Sequence, residues 1–185
     1  MKFQERKIEE MQVNPFQLIG KEWMLITAGT EEKANTMTAS WGGMGVFWGK
    51  NVITTYIRPQ RYTKRFIDTN DTFSVSFFSE EYKKILAYCG KVSGKDEDKI
   101  KNAKLSTCFY EGTPYFEEAK LVFICRKMCE GEIKPELFID KEADEKWYPQ
   151  KDYHRMYMGT GRSVALPPQS TRTSISSFMP ARLST

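Results

Sequence analysis

The chain reads Asn35-Thr36-Met37-Thr38-Ala39-Ser40-Trp41 at the point that decides its fold, and Gly42-Gly43 follows directly. Polar and apolar residues alternate along this run, which predicts a half-buried strand that ends in a glycine-rich bend. Hydroxyls at Thr38 and Ser40 alternate with small residues, so the strand end can present hydroxyl and backbone N–H groups to a phosphate or a flat heterocycle. The alternative interpretation of the same pattern is a polar strand face that binds no ligand.

Further strands are predicted on both sides of this run. They are expected at residues 23–28, 51–57 and 72–78 and near 120–130 and 153–158. A turn at 29–32 would close a hairpin with the central run, and the glycine-rich segment 42–50 is expected to be a loop. Several short strands with turn signals between them predict a closed or nearly closed antiparallel barrel rather than a doubly wound sheet.

The helices are expected to be brief. Pro59 stands at a favourable first position for a helix that continues through Ile67, and Ser79 is a favourable N-cap for another. The polar stretch 91–99 is expected to be a surface loop that leads into a short helix. The fold class predicted from these patterns is mainly β with short helices.

Length and composition predict one globular domain. The chain has 185 residues, of which 40% are hydrophobic, and this is enough to bury a full core. The domain is expected to span residues 1–159, because residues 160–185 are rich in Ser, Thr, Pro and Arg and contain no acidic side chain. We expect that C-terminal tail to be a flexible or partner-docked appendage of divergent or foreign origin.

The formal charge of +4 does not indicate a nucleic-acid-binding protein. Four arginines and no acidic residue follow Asp152, so the first 152 residues carry 24 basic and 24 acidic side chains. The body is therefore neutral and gives no sign of a basic nucleic-acid-binding character. No uncharged apolar run approaches the roughly 20 residues that span a bilayer, and no apolar signal segment begins the sequence. We expect a cytoplasmic protein that binds neither nucleic acid nor membrane.

The four cysteines are too few for a disulfide scaffold and lack the paired spacing of a zinc site. Reduced, mostly buried thiols are expected at Cys89, Cys108, Cys125 and Cys129. The last two lie four residues apart in a predicted strand, which places them on one face and leaves a redox pair open. A single histidine without a carboxylate cluster argues against metal catalysis and against a Ser-His-Asp hydrolase.

A second informative motif is Arg58-Pro59-Gln60-Arg61-Tyr62-Thr63-Lys64-Arg65. Arg58 precedes the expected helix start and Arg61 lies within its first turn, so free N–H groups and two guanidiniums make a site suited to a phosphate dianion. A solvated basic helix face is the alternative, and it is the preferred interpretation for Lys64 and Arg65.

These motifs occur in a set order: Asn35 to Trp41, then Arg58 to Thr63, then Ser93-Gly94 with Asp98-Lys99. In that order and spacing, over roughly residues 10 to 159, the chain resembles the flavin reductase family, the FMN-binding split barrels that include flavoredoxin. The resemblance implies a homodimeric split antiparallel β-barrel with one non-covalent FMN per subunit near the dimer interface. It also implies reduction by NADH or NADPH, or by a protein donor in flavoredoxin-like members.

The resemblance further implies which residues hold the cofactor. One set would line the isoalloxazine and contact the phosphate arm: Thr38, Ala39, Ser40 and Trp41. A second set would hold the phosphate: Arg58, Arg61 and Thr63. A third set would lie on a loop that closes over the cofactor or the nicotinamide: Ser93, Gly94 and Lys99.

Two further residues and the end of the chain bear on the expected site. Ser76 stands where many relatives have Asn, which keeps a hydroxyl but shortens its reach to the flavin. His154, in the segment Asp152-Tyr153-His154, either helps to orient the nicotinamide or tune the reduced flavin, or it caps the barrel through hydrogen bonds. Beyond Gly159 the acidic residue and final strand of the family are not recognisable.

The expected chemistry needs no separate acid, base or nucleophile, because the flavin itself carries the electrons. An open flavin face lined by aromatic side chains is expected, with four candidates for that wall: Trp41, Phe47, Trp48 and Tyr115. The preferred interpretation is an NAD(P)H-dependent flavin reductase. The alternatives are a flavoredoxin-type electron carrier with redox protein partners, an oxidase in the manner of pyridoxamine-phosphate oxidases, and a flavin-free binding module.

Overall fold

The computed structural model describes residues 4–166 of the chain. Strands make up most of this part: β1 (Gln4–Arg6), β2 (Met24–Gly29), β3 (Ala34–Ala39), β4 (Gly42–Phe47), β5 (Lys50–Ile57), β6 (Thr72–Phe77), β7 (Thr107–Tyr110), β8 (Thr113–Phe116), β9 (Leu121–Glu132) and β10 (Arg155–Leu166). The α-helices are short: α1 (Thr63–Thr69), α2 (Lys83–Lys91), α3 (Lys99–Asn102) and α4 (Lys141–Trp147). A π-helix covers Gln17–Glu22, and 3-10 turns cover Ile8–Glu10, Glu80–Tyr82 and Pro135–Leu137. The predicted fold class, mainly β with short helices, is confirmed.

Antiparallel pairing joins most of the strands into one sheet in the order β3-β2-β6-β9-β10-β5-β4, with β1 added beside β10. The two longest strands, β9 and β10, have 12 residues each and pair with one another. β7 and β8 form a separate hairpin. Every helix within residues 4–166 falls short of the length and apolarity that crossing a membrane demands.

Each face of the sheet packs against its own apolar cluster. Ile26, Phe73 and Phe123 belong to the first cluster, whereas Leu25 and Leu86 belong to the second. Neighbours in the chain such as Leu25 and Ile26 reach opposite faces because side chains alternate along a strand. Strands of this sheet therefore carry apolar residues at consecutive positions. β3 lies at the edge of the sheet and packs against α1, α2 and α3.

The glycine-rich segment expected to be a loop is a strand instead. β4 pairs with β5 along its whole length, and the turn between them is formed by Trp48 and Gly49, with φ of 50° and 65°. Two residues with positive φ make the tight turn that matches strand twist in a hairpin. A Cβ at Gly42 would lie 2.6 Å from the carbonyl oxygen of Thr54, so glycine here permits close strand approach rather than loop flexibility.

The helix expected from Pro59 begins later, at Thr63. The N–H of Arg61 donates to the carbonyl of Arg58 at 3.1 Å, which closes a turn with Pro59 at its second position. Proline favours that position as much as a helix start, because its fixed φ suits both. The prediction that Arg61 lies in the first helical turn is therefore wrong.

The final strand extends past the expected domain boundary at residue 159. β10 continues to Leu166, and beyond Gly159 it still pairs with β9, for example through Thr160 and Arg126. Residues 160–166 thus belong to the sheet rather than to a separate tail, because a 12-residue partner strand supplies backbone pairing that does not depend on an apolar pattern. Positions 167–185 of the predicted tail lie outside the described residues.

An irregularity in β9 separates the two cysteines expected on one face. Cys129 pairs with Met158, but the next residue of β10 pairs with Lys127, so Met128 is an extra residue. Such a bulge reverses the alternation beyond it. Cys125 is fully buried whereas Cys129 is partly exposed, and the prediction that the two lie on one face is wrong.

Candidate functional site

An apolar cavity of about 620 Å³ opens beside the bend that follows β3. Ser40 and Trp41 line it from the bend, Tyr56 from β5 and Phe16 from the N-terminal segment. Ala39 instead belongs to the first core cluster. The cavity has the size and apolar walls typical of small-molecule sites. Of the four aromatic residues proposed as its wall, Trp41 lines it, whereas Phe47, Trp48 and Tyr115 do not.

Trp41 contacts two further rings at this cavity. Its ring centroid lies 5.1 Å from that of Trp147 and 4.9 Å from that of His154. His154 is buried, and its Nδ1 lies 2.8 Å from the hydroxyl of Tyr148. Burial, and secondly the positive charge of Arg58, lower the pKa of His154 to about 4. The imidazole is therefore neutral at pH 7 and packs as an uncharged ring.

Arg58 belongs to this aromatic cluster. Its guanidinium donates to the carboxylate of Asp152 and, at 2.8 Å, to the carbonyl of Trp147, and it lies 5.2 Å from the ring centroid of Tyr148. Asp152 also accepts from Gln60 at 2.7 Å. The hydrogen bond from Arg58 holds the pKa of Asp152 below its ordinary value. Arg58 thus has a carboxylate partner and anchors the segment 147–154.

Arg61 and Lys99 form a different cluster, at the C-terminal end of α2. Nη1 of Arg61 donates to the carbonyl of Gly90 at 2.7 Å, and Nζ of Lys99 donates to the carbonyls of Cys89 and Val92 at 3.1 and 3.2 Å. Cations stabilise a helix C-terminus because its free carbonyls carry partial negative charge. That role leaves Nη2 of Arg61 buried, with no hydrogen-bond partner within the described residues.

The electrostatics of this pair favour an anion. Lys99 is only 3% exposed, and neither cation forms an ion pair with a carboxylate in the part of the chain that the structure describes. Burial, and then the charge of Arg61, lower the pKa of Lys99 to about 8, and burial lowers the pKa of Arg61 as well. Two buried like charges are costly unless an anion compensates them, and phosphate oxygens suit both donors.

Three of the remaining predicted residues lie near this pair. Nδ2 of Asn35 donates to Oγ1 of Thr63 at 2.8 Å, which leaves the hydroxyl proton of Thr63 free to donate. Gly94 packs so closely on Asn35 that a Cβ would lie 2.0 Å from its Oδ1. The hydroxyl of Ser93 accepts from the N–H of Lys95 at 3.2 Å and so stabilises its own loop.

Two other predicted residues are engaged with the protein itself. The hydroxyl of Thr38 donates to the carbonyl of Leu86 in α2, so it fixes the strand against the helix. Ser76 pairs across the sheet with Leu25 and Val122, both in the second core cluster. Its hydroxyl is buried without a partner among the described residues, and it lines neither the cavity nor the cation pair.

Residues 16–167 match the family model described as flavin reductase like domain. The chain belongs to the flavin reductase-like family. Among solved structures it is similar to flavoredoxin from Methanosarcina acetivorans, with 21% identity, 86% of this chain and 76% of that chain covered, and a TM-score of 0.62. It is also similar to the FMN-binding protein from Thermus thermophilus with bound p-hydroxybenzaldehyde, with 17% identity, coverage of 90% and 83%, and a TM-score of 0.62.

A third similar structure is the NADH:FAD oxidoreductase of Streptomyces globisporus, with 15% identity, coverage of 80% and 76%, and a TM-score of 0.60. At these identities the likeness shows the fold, and the predicted split barrel of this flavin reductase-like chain is confirmed. No curated protein matches the sequence significantly.

The residues of this flavin reductase-like chain fit an FMN. A phosphate would supply the anion that the buried Nη2 of Arg61 lacks, and the apolar cavity beside Ser40 and Trp41 would take a flat ring. Sequence reasoning did not identify Asn35 as a partner of Thr63, nor Tyr148 as a partner of His154. Asn35 begins the deciding run and could have been found there, whereas the contact of Tyr148 depends on the path of the chain after α4.

Proposed function

We propose that the chain binds FMN non-covalently and passes electrons through it from NADH or NADPH to an acceptor. One observation carries this proposal: the buried cations Arg61 and Lys99 include a guanidinium nitrogen without a partner among the described residues. The cavity lined by Ser40 lies at the other end of β3. Gly90, whose carbonyl binds Arg61, packs against Thr38, which lies on β3 two residues before Ser40.

Under this proposal the chain holds the cofactor at two places. Arg61, Lys99 and Thr63 would donate to the phosphate, with Nη2 of Arg61 as the donor that has no other role. Ser40 and Trp41 would border the ring system in the cavity. Bound FMN supplies the redox chemistry, taking a hydride from a nicotinamide and releasing electrons to an acceptor.

The side chains around the cavity orient the ring and exclude water. Trp41 is held between Trp147 and His154, and Tyr148 fixes the imidazole through its hydroxyl. A neutral His154 keeps Trp41 in place without adding a charge, since its pKa is lowered to about 4. We assign His154 an orienting role rather than proton transfer. Exclusion of water strengthens the remaining polar contacts in the cavity.

We also propose that the chain forms a homodimer. Val46 is 72% exposed and Trp48 58% exposed at the β4–β5 hairpin, and Phe16 at the cavity is 87% exposed. A second copy of the chain would cover such apolar surface near the site. Sedimentation velocity at micromolar concentration is expected to give a dimer, and a monomer at all concentrations would overturn this part of the proposal.

The test of the electron donor is an anaerobic absorbance titration of the FMN-loaded protein with NADH and then NADPH. Loss of the flavin absorbance with either nucleotide supports the reductase. A bound flavin that responds to dithionite but to neither nucleotide assigns the chain to flavoredoxin-type electron carriers instead. A protein that binds no FMN contradicts both.

A further inference from the structure

An apolar chamber of about 430 Å³ adjoins the cavity proposed for the flavin ring. Trp41, Ile133 and Tyr148 line both spaces, so the two share a wall. The outer side of the chamber comes from the 3-10 turn Pro135–Leu137 and from α4, and neither element lines the ring cavity. A flavin ring in the first cavity would therefore leave this chamber free for a second molecule.

Aromatic side chains make up much of the chamber wall. The rings of Trp41 and Trp147 meet edge to face at 5.1 Å between centroids, and those of Phe138 and Tyr148 meet at 5.8 Å. Trp147 is 46% exposed and Leu137 is 63% exposed, so the chamber opens to the solvent. Flat conjugated molecules bind well against such walls, because ring systems attract one another in stacked and edge-to-face arrangements.

The electrostatics of the chamber favour a neutral ligand. Among the described residues that line it, none carries a charged side chain, and burial raises the pKa of the Tyr148 hydroxyl, which stays protonated at pH 7. The segment 134–146, which forms the outer side, contains five acidic and three basic residues. Its negative field disfavours an anion at the mouth, and the apolar wall offers a phosphate no partner. Nicotinamide dinucleotides and free flavin nucleotides are therefore poor occupants.

A quinone is the class of electron acceptor that suits these walls. Quinone and hydroquinone are both neutral and flat, so a chamber without charges can hold the oxidised and the reduced form. The protons are added to oxygen, where water can supply them without a positioned acid. Reduction of a carbon–carbon double bond would instead need a proton donor held at carbon. The hydroxyl of Tyr148 is already engaged with Nδ1 of His154, at 2.8 Å.

We propose that this chamber binds a quinone, which accepts the electrons that the chain carries on FMN. Two electrons and two protons pass from reduced FMN to the quinone, so that FMN is oxidised and both quinone carbonyls become hydroxyls. The shared wall at Trp41 and Tyr148 keeps the two ring systems next to each other. This inference rests on the proposed function, because it requires a reduced flavin in the neighbouring cavity.

Equilibrium dialysis of the oxidised, FMN-loaded protein with duroquinone tests binding without turnover. Duroquinone is fully methylated, so it does not add to the partly exposed thiols of Cys108 and Cys129. Ala143→Phe adds a ring to the chamber wall and is expected to weaken duroquinone binding about tenfold. FMN affinity should stay within about twofold, because Ala143 does not line the ring cavity. Ala87→Phe, at an exposed position of α2, is the matched control and should change neither affinity.

A second variant tests the mouth of the chamber. Leu137→Ala should leave folding intact, because this side chain is largely exposed, and it should weaken duroquinone binding about threefold through lost apolar contact. Anaerobic mixing of the reduced, FMN-loaded protein with duroquinone gives a kinetic readout. The rate of flavin reoxidation should saturate, and Ala143→Phe should raise the half-saturating concentration about tenfold. Ferricyanide is the control acceptor, because a trianion is excluded from the chamber, and its rate should be unchanged.

Different failures separate this inference from the proposed function. Absence of saturable duroquinone binding, an equal loss in Ala143→Phe and Ala87→Phe, or bound duroquinone that does not reoxidise the flavin would overturn the inference and leave the FMN site intact. A matching loss of NADH affinity in Ala143→Phe would assign the chamber to the nicotinamide, which also overturns it. A protein that binds no FMN would contradict the proposed function, and the inference would fail with it.

Discussion

Arg58 and Arg61 lie three residues apart in one motif, yet they enter opposite environments. Arg58 is paired with Asp152, a residue 94 positions away, and stacks over Tyr148. The guanidinium of Arg61 donates a hydrogen bond to the carbonyl of Gly90, and its other terminal nitrogen is buried without a hydrogen-bond partner among the described residues. An arginine that has its own carboxylate stabilises the fold, whereas one left with unused donors is available to an anionic ligand.

The largest expected effect separates the two arginines by FMN affinity. Arg61→Gln should weaken FMN binding roughly 10- to 100-fold, because it removes a charge-assisted hydrogen bond from a buried site. Isothermal titration calorimetry of the cofactor-free variant measures this loss. Arg58→Gln is the matched control and should change the ratio of FMN to riboflavin affinity less than about threefold, because Arg58 does not contact the proposed phosphate site. A greater loss in Arg58→Gln than in Arg61→Gln would reverse the two roles.

The second prediction uses pH to sharpen the same contrast. The pKa of Lys99 in the free protein is lowered to about 8, and a bound phosphate should raise it again. The complex then holds a proton that the free protein loses, so FMN affinity should fall above pH 8 by at most about tenfold per pH unit. Titrations from pH 7 to pH 10 measure how FMN affinity changes with pH, and the affinity of riboflavin should not show this fall. An FMN affinity that rises above pH 8 would contradict the role of Lys99.

Lys99 should also make the stability of the cofactor-free protein depend on pH. This stability should rise with pH, whereas the affinity for FMN falls. The folded-state pKa of about 8 lies below the ordinary value of 10.5, so the unfolded chain binds more protons between these two values. Stability linked to Lys99 therefore rises with pH across that window. Urea unfolding of the cofactor-free protein at pH 8 and pH 10 measures it against Lys99→Met, in which the rise should be absent.

The fourth prediction concerns the partnered arginine. Arg58→Gln should lower the free energy of unfolding by about 1–2 kcal/mol, because it leaves a largely buried Asp152 without its cation. The side chains of Arg58 and Asp152 are 27% and 15% exposed, so solvent screens the pair only in part. Urea denaturation measures the loss. Adding Asp152→Asn should recover part of it, and strictly additive losses would show that the pair contributes nothing.

The smallest expected effect is the pH dependence contributed by His154. Its folded-state pKa of about 4 lies below its ordinary value of 6.5, so the unfolded chain binds more protons between these values. Stability should therefore fall as the pH drops from 6.5 toward 4. Thermal unfolding across this range should show a shallower decline for His154→Gln than for the unaltered chain. An identical decline in both proteins would show that His154 does not contribute to the loss of stability at low pH.

The sequence predicts the strands well where their residues are distinctive. The alternation at 35–41 and the β-branched run at 51–57 correspond to β3 and β5 because both strands bury at least one face. The glycines of β4 predict a loop, but they serve close approach between strands, which local propensity does not reveal. The short β7–β8 hairpin and α4 also went unidentified, since four- and seven-residue elements carry little periodic signal.

The sequence names the residue types of the candidate site but not their pairings. Arg61, Thr63 and Lys99 belong to the quoted motifs, and the structure places them around the start of β3 and the end of α2. Arg58 could not be distinguished from Arg61 in the sequence, because its partner Asp152 comes from a distant segment. The sequence likewise does not reveal the environment of Ser76, because its cross-strand neighbours Leu25 and Val122 come from other segments of the chain.

The most direct measurement of the central claim is the affinity of FMN relative to riboflavin, which lacks the phosphate, in the unaltered chain, Arg61→Gln and Arg58→Gln. The cation pair predicts that FMN binds at least about tenfold more tightly than riboflavin, that Arg61→Gln abolishes this preference, and that Arg58→Gln retains it. Equal binding of FMN and riboflavin by the unaltered chain, or a preference lost only in Arg58→Gln, would contradict the assignment of the phosphate to Arg61 and Lys99.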